Sequence, residues 1–345
     1  MFSIGERKVG PGHATYLVAE VAQAHDGSLG LAHAFVDAAA DAGADAIKFQ
    51  THIAAGESTQ EEQFRVRFSR QDETRYQYWK RMEFSPEGWR GLAEHAATRG
   101  LAFLSSPFSM DAFTLLESIG VPAWKVASGE LGSDAMLDAM LHTRKPMLIS
   151  TGMSPWSEID AVVARARKTG SPFCLLQCTT RYPTPIEQTG LNVIGEFRSR
   201  YQCPAGLSDH SGTVYPALAA LARGCELIEM HLTLDRRMFG PDVSSSLTVD
   251  EFRLVAKARD AFRTMDAHPV NKDSAAAELA PMRDLFMRSA APTRPLKAGT
   301  VLTADMLAAK KPGNGIPASR IPSLVGRKLR REVAPDRLLR EDDLE

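Results

Sequence analysis

Hydrophobic and polar positions follow two alternating rhythms over the first two-thirds of the chain. Short apolar runs recur at 16–19, 46–49, 102–104, 123–126, 147–149, 173–176, 205–207 and 227–230. Longer stretches with helical spacing separate them, among them 31–42, 86–99, 110–119, 155–168, 215–223 and 250–265. Ser85-Pro86-Glu87 and Ser154-Pro155-Trp156 are helix starts, and Gly43, Gly100, Gly120 and Gly224 are stops. Strands alternating with helices predict a parallel sheet. Eight such units in about 250 residues predict an α/β fold of the (β/α)8 (TIM) barrel type. The alternative is a doubly wound open sheet, which carries a glycine-rich turn after its first strand. Here that turn is Glu20-Val21-Ala22-Gln23-Ala24-His25, without the glycines.

Two segments depart from this rhythm. A polar insertion over 51–84, rich in Arg, Glu, Gln and aromatic residues, follows the second strand and is read as a substrate lid. After Asp266 the pattern breaks into short segments punctuated by Gly and Pro. The expected organisation is a catalytic barrel at 1–266, a linker with a short helix at 267–285 and a small turn-rich domain at 286–345.

Composition narrows the function classes. A formal net charge of −1, with 44% hydrophobic and 24% charged residues, gives no electrostatic basis for nucleic acid or an anionic membrane as partner. An anionic substrate must therefore meet a local cluster of positive charge. No secretory signal is visible, and no apolar run approaches the roughly 20 residues of a membrane helix. The cysteines Cys174, Cys178, Cys203 and Cys225 lack zinc-pair spacing, so a reduced, cytoplasmic protein is expected.

In a barrel the chemistry sits at the C-terminal ends of the strands. Read in order, those ends carry Glu20; Lys48 and Gln50; Ser105 and Ser106; Lys125, Ser128 and Glu130; Ser150 and Thr151; Gln177, Thr179, Thr180 and Tyr182; Ser208, Asp209 and His210; and His231. Helix capping accounts for some hydroxyls. It does not account for two lysines, two histidines and two glutamates. His210 and His231 on neighbouring strands suit a divalent metal with open coordination positions. Lys48 and Lys125 follow interior-looking runs and suit a small dianion such as a phosphorylated carboxylate. A Schiff-base lysine is the competing use. Glu20 and Glu130 can orient water or sugar hydroxyls. Asp242, in the loop after strand eight, is either a hydroxyl ligand or a turn aspartate.

The motifs around these residues resemble the sialic acid synthase family: N-acetylneuraminate synthases and their legionaminic and pseudaminic acid relatives. The resemblance is carried by Glu20 with His25-Asp26-Gly27, Lys48-Phe49-Gln50-Thr51, Ser106-Pro107-Phe108, Lys125-Val126-Ala127-Ser128-Gly129-Glu130, Ser150-Thr151-Gly152-Met153, Tyr182-Pro183-Thr184-Pro185, Gly206-Leu207-Ser208-Asp209-His210, His231 and Gly240-Pro241-Asp242. It implies that His210 and His231 bind a divalent metal, usually manganese, with magnesium or cobalt as alternatives. It implies that Lys48, Ser106, Lys125, Ser128 and Ser208 hold phosphoenolpyruvate, and that Glu20, Gln50, Glu130, Tyr182 and Asp242 surround an amino sugar. N-acetylmannosamine is the expected sugar; a diacetamido-dideoxy hexose is the alternative. The tail resembles the antifreeze-like (SAF, β-clip-like) domain of these enzymes. Its Lys310-Lys311-Pro312-Gly313-Asn314-Gly315 corresponds to a loop that reaches the partner's site in a domain-swapped homodimer. Three positions depart from the family pattern: Ala24 and Thr180 stand where asparagine is usual, and Lys311 where arginine is usual. Altered sugar recognition is expected from them. A metal-free Schiff-base aldolase and a non-enzymatic sugar- or ice-binding protein are the competing classes.

Overall fold

The computed structural model describes residues 1–64 and 67–345, which form two compact units, Met1–Ala267 and His268–Glu345. The first unit opens with an antiparallel hairpin of β1 (Phe2–Ile4) and β2 (Arg7–Val9). Eight parallel strands follow: β3 (Tyr16–Ala22), β4 (Ala46–Thr51), β5 (Ala102–Pro107), β6 (Trp124–Val126), β7 (Met147–Ser150), β8 (Phe173–Cys178), β9 (Ala205–Asp209) and β10 (Leu227–Thr233). They are ordered β5-β4-β3-β10-β9-β8-β7-β6, and the end strands β5 and β6 lie side by side without ladder pairing. This is a nearly closed eight-stranded barrel, as the alternation of strands and helices predicts. A two-residue β11 (Leu247–Thr248) pairs in parallel with the last two residues of β10.

Helices of the outer ring pack against the strands through apolar stripes. Leu29–Asp41 buries Ala32, Phe35, Val36 and Ala39, and the Ser28 hydroxyl caps it by accepting from the Leu31 N–H. Trp156–Thr169 buries Ile159, Val162, Val163 and Ala166, and stops at Gly170 in the left-handed region, φ 75°. Further helices of the ring are Pro86–Thr98, Met110–Ile119, Asp134–His142, Asn192–Tyr201, Tyr215–Ala222 and Val249–Ala267.

Side chains on a strand alternate between its two faces. Outward residues such as Ile47, Phe49, Ile228 and Met230 join the helices in the main core. Inward residues Tyr16, Val18, Ala46, Leu104, Ala123, Leu148, Cys174, Leu176 and Leu227 form a second core with Phe2, Ile4 and Val9 of the hairpin. The hairpin therefore plugs the N-terminal mouth, and the lower lumen is apolar. Two residues further along each strand, the inward position carries Glu20, Lys48, Ser106, Lys125, Ser150, Cys178, Ser208 or Glu229, all buried. The strands outrun the apolar runs for this reason. Seven extend beyond the expected C-terminal boundary into polar residues whose backbones still pair; β6 alone ends at Val126, where the run ends.

The second unit carries helices Lys272–Glu278 and Ala280–Phe286, the latter ending one residue past the segment 267–285, then β12 (Ser289–Pro292) paired antiparallel with β13 (Leu307–Lys310). Its own core includes Ala290, Leu302, Leu307, Leu324, Leu329 and Leu339. Among the described residues, no helix is long and apolar enough to cross a membrane.

The lumen leaves no room at Gly206 on β9. A Cβ there would lie 1.9 Å from the Leu227 carbonyl oxygen on the neighbouring strand. Gly206→Ala is expected to cost about 3 kcal/mol in urea unfolding. Gly195→Ala, on an exposed helix position with nothing within 4 Å, is expected to add about 0.5–1 kcal/mol. Equal stability of the two variants would contradict this packing.

Candidate active site

A cavity of about 700 Å³ opens at the C-terminal ends of the strands. At its base Lys48 Nζ lies 2.7 Å from Glu20 Oε2 and 3.8 Å from Glu229 Oε2. Lys125 Nζ lies 3.0 Å from Glu229 Oε1, which also accepts from the Ser208 hydroxyl at 3.0 Å. Burial alone would raise the Glu229 pKa, but the charges of Lys125 and Lys48 outweigh it and hold this carboxylate below its ordinary range. For Glu20, burial wins over the pull of Lys48 and raises it. Burial would lower Lys48, but Glu20 and Glu229 more than compensate, so its ammonium stays protonated. A protonated Lys48 is a point charge for an anion, not an amine nucleophile.

His210 and His231 face the same cavity with ring centroids 5.1 Å apart. Burial, the first cause in each case, holds both below the usual imidazole range, His210 at about 4. Both are therefore neutral, the form that ligates a metal. The Nδ1 atoms of both rings lack a hydrogen-bond partner, and His210 Nε2 meets the Tyr182 hydroxyl at 3.1 Å. Among the described residues no cluster of three or more His, Cys, Asp or Glu could close around an ion. Two neutral rings with unpartnered Nδ1 atoms on one cavity wall have the chemistry of metal ligands.

The hydroxyls of Ser106, Ser150 and Thr180 are buried without hydrogen-bond partners and line the cavity. Unspent donors beside two ammonium groups suit a phosphate or carboxylate. Ser128 Oγ accepts from the Gly152 N–H at 3.1 Å and touches Cys178 Sγ at 2.9 Å. Glu130 is raised, first by burial and then by the charge of Glu57.

The 51–84 insertion covers this mouth, with residues 65–66 outside the described residues. It folds as two short helices, Ala54–Glu57 and Arg75–Met82, around an apolar cluster of Ala54, Tyr78, Trp79 and Met82 with Phe64 and Phe68 against it. Its His52, Glu57, Glu62, Arg75 and Trp79 line the cavity.

The cavity gathers Glu20, Lys48, Gln50, Ser106, Lys125, Ser128, Glu130, Thr180, Tyr182, Ser208, His210, His231 and Asp242 in one space. Lys311 lies in the second unit. Sequence reasoning missed Glu229, hidden in the run Leu227-Ile228-Glu229-Met230. Its signal is period two: Glu229 and His231 share the inward face. Cys178 was missed as the eighth member of the inward ring by the same oversight. His52 and Glu57 had no signal beyond lying in the insertion.

Comparison with known proteins places the chain in a family. Residues 35–269 match the NeuB family and residues 288–345 match the SAF domain. A protein of Methanocaldococcus jannaschii whose name assigns no activity is 33% identical over 99% of this chain and 98% of that protein. The N,N'-diacetyllegionaminic acid synthase of Campylobacter jejuni is 29% identical, covering 95% and 99%. The crystal structure of the N-acetylneuraminic acid synthetase of Leptospira borgpetersenii superposes with a TM-score of 0.71 at 29% identity, covering 83% of this chain and 96% of that one. The chain belongs to the NeuB family, carries a C-terminal SAF domain, and is an enzyme of the synthase type.

Glu229 is the structural keystone of the charged base. Glu229→Ala is expected to cost about 3–5 kcal/mol at neutral pH, because two buried ammonium groups lose their shared partner. Its pKa is depressed, so the stability from its charge is fully present above the ordinary carboxylate range and is lost as pH falls from that range through the lower folded value. The gap between wild type and Glu229→Gln in urea unfolding should therefore narrow in acid. A constant gap would contradict the assignment.

Proposed function

We propose that this enzyme condenses phosphoenolpyruvate with the open-chain aldehyde of an N-acetylated amino sugar and water, giving a nine-carbon 2-keto-3-deoxy acid and phosphate. N-acetylmannosamine is the acceptor in this reading. The observation that carries it is the pairing of Lys48 and Lys125 with three unspent hydroxyls, beside two neutral histidines, above an apolar lumen floor.

In this reading Lys48 and Lys125 hold the carboxylate and phosphate, with Ser106, Ser128 and Thr180 donating and Ser208 lining the same end of the cavity. The substrate methylene carbon attacks the aldehyde carbon, and the C–C bond forms as the aldehyde oxygen takes a proton. Water adds to the resulting cationic enol carbon, and Glu20 is placed to accept its proton. The C–O bond to phosphate then breaks as the ketone forms. Gln50, Glu130, Tyr182 and Asp242 contact the sugar. His210 and His231 would hold a divalent metal, manganese with magnesium or cobalt as alternatives, and such an ion supplies Lewis-acid polarisation of the aldehyde. The family resemblance supports a cytoplasmic homodimer in which the SAF segment around Lys311 completes the partner's site.

A diacetamido-dideoxy hexose is the second acceptor reading. The legionaminic acid synthase relative and the N-acetylneuraminic acid synthetase structure are equally similar at 29%.

Phosphate release from phosphoenolpyruvate across a panel of amino sugars tests both. Turnover is expected with one acceptor, lost with EDTA and restored by manganese. Lys125→Met is expected to lower kcat/KM for phosphoenolpyruvate by about 10²-fold. EDTA-insensitive turnover with borohydride trapping of a lysine adduct would overturn this reading in favour of a Schiff-base aldolase.

A further inference from the structure

A hydrogen-bonded chain runs from the lid to the base of the cavity. Glu57 Oε1 lies 2.6 Å from His52 Nδ1, and His52 Nε2 lies 3.3 Å from Gln50 Oε1. Gln50 Nε2 donates to Glu20 Oε1 at 3.2 Å, and Glu20 Oε2 lies 2.7 Å from Lys48 Nζ. The His52 ring is clamped between Trp79, 3.8 Å away at 14°, and Phe108, 4.4 Å away at 10°. Trp79 and Glu57 both belong to the lid helices, so the folded lid builds this arrangement. The condensation chemistry has no use for His52 or Glu57.

Counting donors ties the protons to the direction of the Gln50 amide. Gln50 points its amide nitrogen at the Glu20 carboxylate, so its Oε1 faces Gln23 Nε2 at 2.8 Å and His52 Nε2. Both of those nitrogens must donate. A neutral imidazole has one N–H. The His52 proton is therefore on Nε2, and Nδ1 is bare. The 2.6 Å contact from Nδ1 to Glu57 is then a hydrogen bond only if Glu57 carries a proton. The electrostatics agree independently. Burial holds His52 down to about 3, with Arg75 adding to the effect. Burial lifts Glu57 to about 8, with Glu62 and Glu83 adding and Arg75 opposing. The remaining charged groups facing Glu57 are Glu130 across the cavity and Asp111 against Gly56. The Glu57 side chain is only 7% exposed, and its Oε2 has no hydrogen-bond partner.

The same atoms allow one other pattern, with every donor reversed. His52 Nδ1–H would donate to an ionised Glu57, Gln50 would turn its amide nitrogen to His52, and its carbonyl would face Glu20. That pattern needs a proton on Glu20, which burial favours and the Lys48 ammonium at 2.7 Å opposes, so the His52 tautomer is what separates the two patterns.

We propose that His52 and Glu57 are positioning residues: protonated Glu57 sets the His52 tautomer, His52 sets the Gln50 amide, and Gln50 holds Glu20 as an acceptor for the reacting water. Ionising Glu57 reverses the chain and turns the Gln50 carbonyl against Glu20. The lid thus reports its protonation to a carboxylate on another strand. The role of Glu20 in this inference rests on the condensation reading; the tautomer does not.

Two measurements on the full chain test it. In the phosphate-release assay, kcat is expected to fall with rising pH about a midpoint near 8, the value to which Glu57 is lifted. Glu57→Ala and His52→Phe are each expected to lower kcat about 10-fold with KM for phosphoenolpyruvate unchanged. Glu57→Gln, whose amide N–H still donates to Nδ1 and cannot ionise, should recover most of that loss and carry activity past the wild-type alkaline limb. In ¹⁵N NMR of histidine-labelled enzyme without substrate, His52 should be the Nε2–H tautomer at neutral pH and shift to Nδ1–H as Glu57 ionises. An alkaline limb unchanged in Glu57→Gln, or an Nδ1–H tautomer at neutral pH, would overturn the proposal. If no acceptor releases phosphate, the condensation reading falls, and the tautomer still decides whether the chain has the stated polarity.

Discussion

Two buried ammonium groups sharing one carboxylate at the barrel mouth are the constraint around which the rest is arranged. Lys48 and Lys125 are 2% and 4% exposed, and isolated charges at such depth are costly. Glu229 between them, with Glu20 on the far side of Lys48, offsets that cost. The pairing also poises the site for an anion, because Lys48, held protonated by its two carboxylates, and Lys125 face a cavity lined with unspent hydroxyls. Water reaching them from below would weaken every one of these interactions. The β1–β2 hairpin and the inward apolar layer close that route, so a plug of Phe2, Ile4 and Val9 at the opposite end of the barrel bears on the chemistry.

Much of this was legible in the sequence, and the failures have physical causes. The barrel followed from eight apolar runs, because a strand buried on both faces reads as a continuous apolar segment. The strands' C-terminal ends did not. Backbone pairing does not depend on side-chain polarity, so β3, β4 and β10 continue through Glu20, Gln50 and His231, beyond the end of each apolar run. Glu229 escaped for the converse reason. Three apolar neighbours made it look like part of a core run, although alternation alone sets it on the face of His231. The hairpin escaped because three-residue strands carry too little pattern. Of the site, Lys48, Lys125, His210 and His231 could be read from position. His52 and Glu57 could not, since their importance depends on the contacts of a lid whose helices are four and eight residues long.

The lid and the base are linked physically. An aromatic clamp fixes the plane of His52, and the fixed plane aligns both ring nitrogens with their neighbours. A single imidazole proton then determines which way a glutamine amide points near Glu20. Distance from the lid to Lys48 is bridged by four hydrogen-bonded or ion-paired steps, each between groups with a definite donor sense. Such a chain transmits polarity without any movement of the barrel. The NeuB family membership defines the type of enzyme, and the departures at Ala24, Thr180 and Lys311 leave the charged base intact.

The central claim is that the two lysines hold a phosphoenol substrate while carbon–oxygen cleavage expels phosphate. The most direct measurement is the fate of ¹⁸O placed at the bridging oxygen of phosphoenolpyruvate during turnover with the active acceptor. The account predicts that the label leaves with inorganic phosphate and that the new ketone oxygen comes from water. Retention of the label in the keto acid would mean phosphorus–oxygen cleavage and would contradict it.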